Sequence, residues 1–315
     1  MTKPPLIIIA GPTASGKTDL SIQLAQQIQG SVISADSMQV YKYMDIGSAK
    51  ITREQMHGIP HYLVDELMPE EEFHVYRFNE MADAALADIY AAGRIPIVVG
   101  GTGFYIRSLL YHTEFTKEQS DPQFRRRMEQ YADTFGNHAL HEKLKDIDPE
   151  SYASIHENNR KRVIRALEFY ELTGHRISEH NRMEREKESP YQYAYFVLTD
   201  DRAIIYDRID RRVDKMMENG LLEEVRGLAE RGCTRDMVSM QGLGYKELLD
   251  YLEGDCSLEE AVYRIKRDTR HFAKRQLTWF KSERDCIWLN RSEYGEDDGA
   301  ILEAMLRELK ARSIL

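Results

Sequence analysis

The chemistry-bearing residues begin at Gly11-Pro12-Thr13-Ala14-Ser15-Gly16-Lys17-Thr18, a Gly-x4-Gly-Lys-Thr spacing that follows the apolar run Leu6-Ile7-Ile8-Ile9-Ala10. Between a strand and a helix, such a loop cradles phosphates, because its backbone N–H groups and the helix N-terminus face the anion. Lys17 adds a point charge, and the Thr18 hydroxyl can ligate Mg²⁺. The loop specifies phosphate but not the molecule that carries it.

Asp36 closes the next apolar run, Val32–Ala35. Open parallel sheets bind ligands at the carboxyl ends of their strands, so Asp36 is expected beside the loop. Three roles compete there: holding Mg²⁺ through water, accepting a proton as general base, or capping the following segment. Ser37 and Gln39 add hydrogen-bonding groups, the amide being suited to a base edge. A third run, Ile95–Val99, ends in Gly100-Gly101-Thr102. Its glycines let a backbone approach a ligand or make a tight turn into the next helix. Thr102 is expected on the same rim as Asp36 and Lys17.

The elements that must position these residues read as six short buried strands: Leu6–Ala10, Val32–Ala35, Tyr62–Val64, Ile95–Val99, Tyr193–Thr199 and Cys286–Leu289. Helical stretches separate most of them, including Phe78–Ala92, which stops at Gly93. The alternation predicts an α/β fold with a P-loop NTPase-like parallel sheet flanked by helices. Between about Thr116 and Glu188 the strand runs vanish, and the chain is helical, charged and rich in Arg and Tyr. The expected organisation is a core of residues 1–115 and 190–315 with an all-helical insertion at 116–189. Near the C-terminus, Ile301, Met305 and Leu309 mark one face of an amphipathic helix. His57 and His61, around Gly58-Ile59-Pro60, read as structural.

The 315 residues are 42% hydrophobic, enough for a real core and against disorder. No run approaches the roughly 20 apolar residues of a membrane span, and the N-terminus does not read as a signal peptide. The cysteines are Cys233, Cys256 and Cys286, odd in number and far apart, which excludes a disulfide framework and a Cys-x-x-Cys zinc site. A cytoplasmic location and a monomer are expected.

The net charge of −10 argues against a nucleic-acid partner unless the basic residues cluster. They do. Lys161 and Arg165 share a helix face flanked by Arg160 and Arg162, with Val163, Leu167 and Tyr170 as the apolar stripe. Arg125, Arg126 and Arg127 lie in the same insertion. Arg208, Arg212 and Lys215 form a second row; Lys266, Arg270 and Lys274 form a third. Basic faces are commonly just solvated and paired with acids. The last two rows have few acids beside them in sequence, and aromatic residues lie among them, as stacking on RNA requires.

The segments "GPTASGKT" (11–18), "DSMQVYKYMDIGSAK" (36–50), "GGTGFYI" (100–106), "RKRVIRALE" (160–168), "QGLGYKE" (241–247) and "RHFAKRQLTWF" (270–280) occur in the order found in one family. Through them the chain resembles the bacterial tRNA dimethylallyltransferases, also called tRNA isopentenyltransferases. These join dimethylallyl diphosphate to the exocyclic amine of the adenosine immediately 3′ of the anticodon and release diphosphate. The resemblance implies diphosphate held by Gly11 and by Thr13, Ala14, Ser15, Gly16, Lys17 and Thr18, with Mg²⁺ at Thr18. It implies Asp36 as general base and Thr102 near the target nucleotide. It also implies tRNA contacts from Asp36, Ser37, Met38 and Gln39, from Arg160, Lys161, Arg162, Val163 and Ile164, and from Gln241, Gly242, Gly244 and Lys246. The insertion would hold the anticodon stem-loop. Where the family often has His-Pro-Asn-Asp before its basic helix, this chain has His156-Glu157-Asn158-Asn159. Eukaryotic relatives carry a C-terminal zinc finger, for which this sequence has no cysteine pair.

The chemistry agrees. A carboxylate that takes the amine's proton assists a poor nucleophile, while Lys17, the loop amides and Mg²⁺ stabilise the departing diphosphate. Arg212 or Arg208 is the candidate for a further clamp. The adenine must leave its stack, and Phe124, Tyr170 or Tyr245 is a candidate stacking platform. The third basic row adds Arg270 and Lys274 as candidate tRNA contacts. The rival readings are a small-molecule or nucleoside kinase and a non-catalytic RNA-binding protein.

Overall fold

A computed structural model describes residues 3–113 and 121–315. The chain forms two compact units, Met1–Leu110 with Pro190–Leu315, and Tyr111–Ser189. The boundary expected at residues 115 and 116 lies outside the described residues.

The first unit opens with β1 (Pro5–Ala10), α1 (Lys17–Ile28), β2 (Gly30–Ser34), β3 (His61–Tyr62), α2 (Val75–Ala91), β4 (Ile95–Gly100) and α3 (Gly103–Leu110). Among the described residues the elements of the second unit are all helices: α4 (Pro122–Glu142), α5 (Leu144–Ile147), α6 (Pro149–Ser154), α7 (Arg160–Thr173) and α8 (Ile177–Glu186). The first unit then resumes with β5 (Gln192–Thr199), α9 (Arg202–Glu218), α10 (Leu221–Glu230), α11 (Tyr245–Leu252), α12 (Leu258–Phe280), β6 (Cys286–Asn290) and α13 (Asp298–Ala311).

The six strands form one parallel sheet in the order β3-β2-β4-β1-β5-β6. β1 is buried on both faces, as a strand covered by helices on either side must be. Alternate residues supply the two layers. Ile7, Ile9, Phe196 and Leu198 pack with Leu20 and Leu24 of α1 and with Ile301, Met305 and Leu309 of α13. On the other side the rings of Phe78 and Tyr105 stack at 4.6 Å, and Phe280 meets Tyr195 edge-on. Register places the site: Ala10 pairs with Gly100, and Ser34 with Val99. Gly11, Ala35 and Gly101, one step on, therefore sit on one rim.

Two elements differ from their expected bounds for local reasons. β3 stops at Tyr62, not Val64, because Leu63 turns to φ 60° and donates its N–H to Glu66 Oε1 at 2.6 Å. α2 begins at Val75, not Phe78, because His74 caps it by accepting the Arg77 N–H at 3.3 Å. That first turn carries no apolar periodicity to announce it.

In the second unit, α4 packs on α7 around Phe124, Ala132, Leu140, Val163, Ile164 and Leu167. The buried Glu168 anchors this core by accepting hydrogen bonds from the Asp121 N–H and from Arg125 and Arg165. Gly136, at φ 87° and ψ 162°, kinks α4.

Candidate active site

Three strand ends of the first unit open into one cavity of about 630 Å³, lined by the phosphate loop, Asp36 to Gln39, and Gly100 to Thr102. That size suits a small ligand. The loop lies where its sequence predicts, between β1 and α1, which starts at Lys17. Gly16 sits at φ 84°, where a Cβ would come within 2.9 Å of Arg291 Nη1. Gly11 lies outside the cavity lining. It is glycine because a Cβ there would stand 2.3 Å from the Leu198 carbonyl of β5.

The electrostatics are those of an anion site. Lys17 donates to the Pro12 carbonyl at 2.6 Å and makes no ion pair among the described residues. Burial, with the neighbouring positive charge of Arg212, pulls its ammonium down to about 7, against an upward pull from Asp36. Arg212, on α9, lines the same cavity, and burial lowers it too. Among the described residues no ion pair or hydrogen bond of Arg212 occurs. Two buried cations that make no ion pair among the described residues, with Asp36 as their neighbouring carboxylate, favour an anion in the space they face.

Asp36 fills one of its three expected roles, that of a cap. Its Oδ1 accepts the N–H groups of Met38 at 2.8 Å and Gln39 at 3.3 Å, which caps the following turn. Its Oδ2 accepts no hydrogen bond among the described residues. On the opposite wall, α12 brings Gln276 into the rim. Its Oε1 accepts the Thr13 N–H at 3.0 Å, and its Nε2 donates to the Gly101 carbonyl at 3.0 Å. This carboxamide joins the phosphate loop to the turn that presents Thr102. Ile209, Val213 and Met216 of α9, with Ile265 and Phe272 of α12, give the cavity an apolar side.

Residues 39–283 match the family model described as IPP transferase. The chain belongs to that family. It is 57% identical over 311 residues to a tRNA dimethylallyltransferase of Lachnoclostridium phytofermentans, covering 99% of each chain. It is also similar to solved structures of two bacterial tRNA isopentenylpyrophosphate transferases. That of Bacillus halodurans is 43% identical, with a TM-score of 0.74 over 99% of this chain and 98% of the other. That of Staphylococcus epidermidis is 42% identical, with a TM-score of 0.73 over 98% and 100%. A eukaryotic dimethylallyltransferase captured acting on tRNA is 32% identical, with a TM-score of 0.79 over 97% of this chain and 78% of that one.

Of the site residues expected from the sequence, Thr13, Ala14, Ser15, Gly16, Lys17, Thr18, Asp36, Ser37, Met38, Gln39 and Thr102 line the cavity, as do Arg212, Gln241, Gly242, Gly244 and Lys246. Within that set Gln39 differs from its expected use. Its Nε2 already donates to the Ala49 carbonyl at 3.2 Å, so the amide braces the wall rather than offering itself to a base edge. Thr13 likewise has its N–H engaged by Gln276, so the loop amides free for an anion start at Ala14.

Other expectations are corrected. Arg208 does not line the cavity; it is ion-paired to Asp200 at 2.8 Å and Glu296 at 2.6 Å. Arg270 pairs with Asp210, and Lys266 with Asp214, so the third basic row faces acids of α9. Lys274 stays exposed but lies outside the cavity lining. Tyr245 is fully buried and cannot stack on a base. Phe124, Val163 and Ile164 are core residues of the second unit, and Arg160 is tied to Glu129 and Asp133 at 3.0 and 2.7 Å. Tyr170 is 38% exposed, and Phe169 takes its expected place in the apolar stripe. Lys161 and Arg162 project to solvent. Sequence reasoning missed Gln276 and Arg275, both at the cavity. The quoted segment "RHFAKRQLTWF" contained them without indicating which turn of α12 faces inward.

Among the described residues no group of three or more His, Cys, Asp or Glu side chains could hold a metal by itself. The Thr18 hydroxyl is an oxygen donor that fits a hard divalent ion completed by phosphate oxygens and water. Among the described residues no helix is long and apolar enough to cross a membrane.

Proposed function

We propose that this protein transfers the dimethylallyl group of dimethylallyl diphosphate to the exocyclic amine of the adenosine immediately 3′ of the anticodon in tRNA. The observation that carries this reading is the meeting, in one cavity, of two buried cations that make no ion pair and one carboxylate oxygen that accepts no hydrogen bond among the described residues. Lys17, Arg212 and the amides from Ala14 onward hold the diphosphate. The apolar side of α9 and α12 receives the five-carbon group. As the amine attacks the allylic carbon, its lone pair forms the new C–N bond. The carbon–oxygen bond breaks and its electrons leave with the diphosphate. Asp36 Oδ2 takes the amine proton, worth about 10²–10⁴ in rate. Mg²⁺ bound at Thr18 would neutralise charge on the leaving diphosphate.

Thr102, Ser37, Met38, Gln241, Gly242, Gly244 and Lys246 form the acceptor side of the cavity in this reading. The helical unit, residues 111–189, receives the anticodon stem-loop through exposed cations such as Lys161 and Arg162. Family membership and the tRNA-directed activities named for the relatives support this reading over a kinase. The enzyme would act where tRNA is, in the cytoplasm, and as a monomer. Incubation with tRNA and labelled dimethylallyl diphosphate tests the reading. Label in the RNA is expected; ATP-dependent phosphorylation without label transfer would replace it with the kinase.

A further inference from the structure

Glu224, on α10, lies outside the cavity yet holds the segment that walls it. Its Oε2 accepts the N–H groups of Asp45 at 2.9 Å and Ile46 at 2.7 Å. Its Oε1 accepts the Gly47 N–H at 3.1 Å and the Tyr245 hydroxyl at 2.7 Å. One carboxylate thus satisfies three successive backbone donors and a phenol. The ring of the buried Tyr245 presses on Gly47, where a Cβ would stand 2.6 Å from it.

The pinned segment continues straight into the site. Gly47, Ser48 and Ala49 line the cavity. The carbonyls of Ser48 and Ala49 receive the Gln39 amide at 3.5 and 3.2 Å. The main-chain N–H of Gln39, with that of Met38, holds Asp36 Oδ1. These hydrogen bonds, joined by the main chain from Gly47 to Ala49 and by Gln39 itself, connect Glu224 to the Asp36 carboxylate.

We infer that Glu224 is a positioning residue for the transfer step: it clamps the 45–47 main chain, and through Ser48, Ala49 and Gln39 it aims the free Asp36 oxygen at the acceptor amine. This rests on the reading of Asp36 as the base. Without the clamp three N–H groups lose their acceptor, and the wall opens. The phosphate loop is not on this path, so donor binding should persist. A base displaced by about 1 Å can cost as much as about 10² in rate.

The test uses the full-length enzyme with Glu224→Gln, which keeps the shape but places an amide donor against N–H donors. Amide exchange across Tyr43–Lys50 should quicken by about tenfold or more. kcat for tRNA prenylation should fall about tenfold or more while KM for dimethylallyl diphosphate stays within about threefold. A clamp of purely structural value would not split kcat from KM in this way. A kcat within about twofold of wild type overturns the inference, as does a loss explained wholly by KM, or a loss with unchanged exchange. If Glu224→Gln does not fold, Glu224→Asp keeps the charge one methylene short. Its kcat should fall about threefold or more, and a value within about twofold overturns the inference equally. A wild-type enzyme that prenylates no tRNA would instead refute the parent reading.

Discussion

The lowered ammonium of Lys17 makes donor binding a titration. In the free protein it loses its proton near pH 7, because burial and Arg212 outweigh Asp36. A diphosphate against the loop supplies the missing counter-charge and returns Lys17 towards its ordinary value of 10.5. Binding above pH 7 therefore takes up a proton. The group's value is higher in the bound state, so its contribution is complete below about 7 and fades as pH rises through the free value. Between pH 7.5 and 9 the protonated fraction falls from about a quarter to about one hundredth, so affinity should drop about 25-fold. The ligand's own last deprotonation is nearly complete by then. Calorimetry with dimethylallyl diphosphate, repeated in buffers of different ionisation enthalpy, reads both the affinity and the proton. An affinity that is flat or rising across that range, or binding without proton uptake, would refute the reasoning. The same burial predicts that Lys17→Met abolishes donor binding yet raises the melting temperature of the ligand-free protein at pH 7, since an expensive buried cation is gone.

Asp36→Asn keeps an oxygen for the Met38 and Gln39 N–H groups, so tRNA binding should stay within about threefold while single-turnover transfer drops by about 10²–10⁴; near-normal turnover would remove Asp36 as the base. Arg212→Ala should weaken dimethylallyl diphosphate binding by about tenfold or more, whereas Arg208→Ala should change it by less than about threefold, measured by the same calorimetry. Equal effects would contradict the cavity assignment. Filter binding of tRNA across a salt series should lose about one unit of slope for each of Lys161→Ala and Arg162→Ala. Arg160→Ala should instead lower the melting temperature, because its guanidinium is engaged by Glu129 and Asp133.

The strands and the phosphate loop were legible because parallel strands buried on both faces read as continuous apolar runs, and because Gly16-Lys17-Thr18 demands one backbone geometry. Asp36 was legible for a related reason, since a polar residue at a strand end is placed by the sheet. The basic rows were not. A helix face shows its own charges in sequence but not the acids that a neighbouring helix brings. Asp210 and Asp214 neutralise Arg270 and Lys266 from α9, and Asp200 neutralises Arg208 from the loop after β5. Val163 and Ile164 sat in a motif implied to touch RNA, yet their side chains are core; only Lys161 and Arg162 of that motif project outward. Tyr245 shows the same limit, its hydroxyl being fixed by a carboxylate 21 residues away.

The Gln276 bridge has a consequence for how the site survives its own reaction cycle. The phosphate loop must accept a multiply charged anion and later release another, and its local field changes sharply each time. Any charged strut across that rim would be drawn or repelled with every visit. A carboxamide is neutral, and it gives and receives one hydrogen bond in a fixed order, from Thr13 and to Gly101. The spacing between donor loop and acceptor turn is therefore set by a part that does not respond to the charge it stands beside. The same frame can meet the ligand-free, substrate-bound and product-bound states in turn.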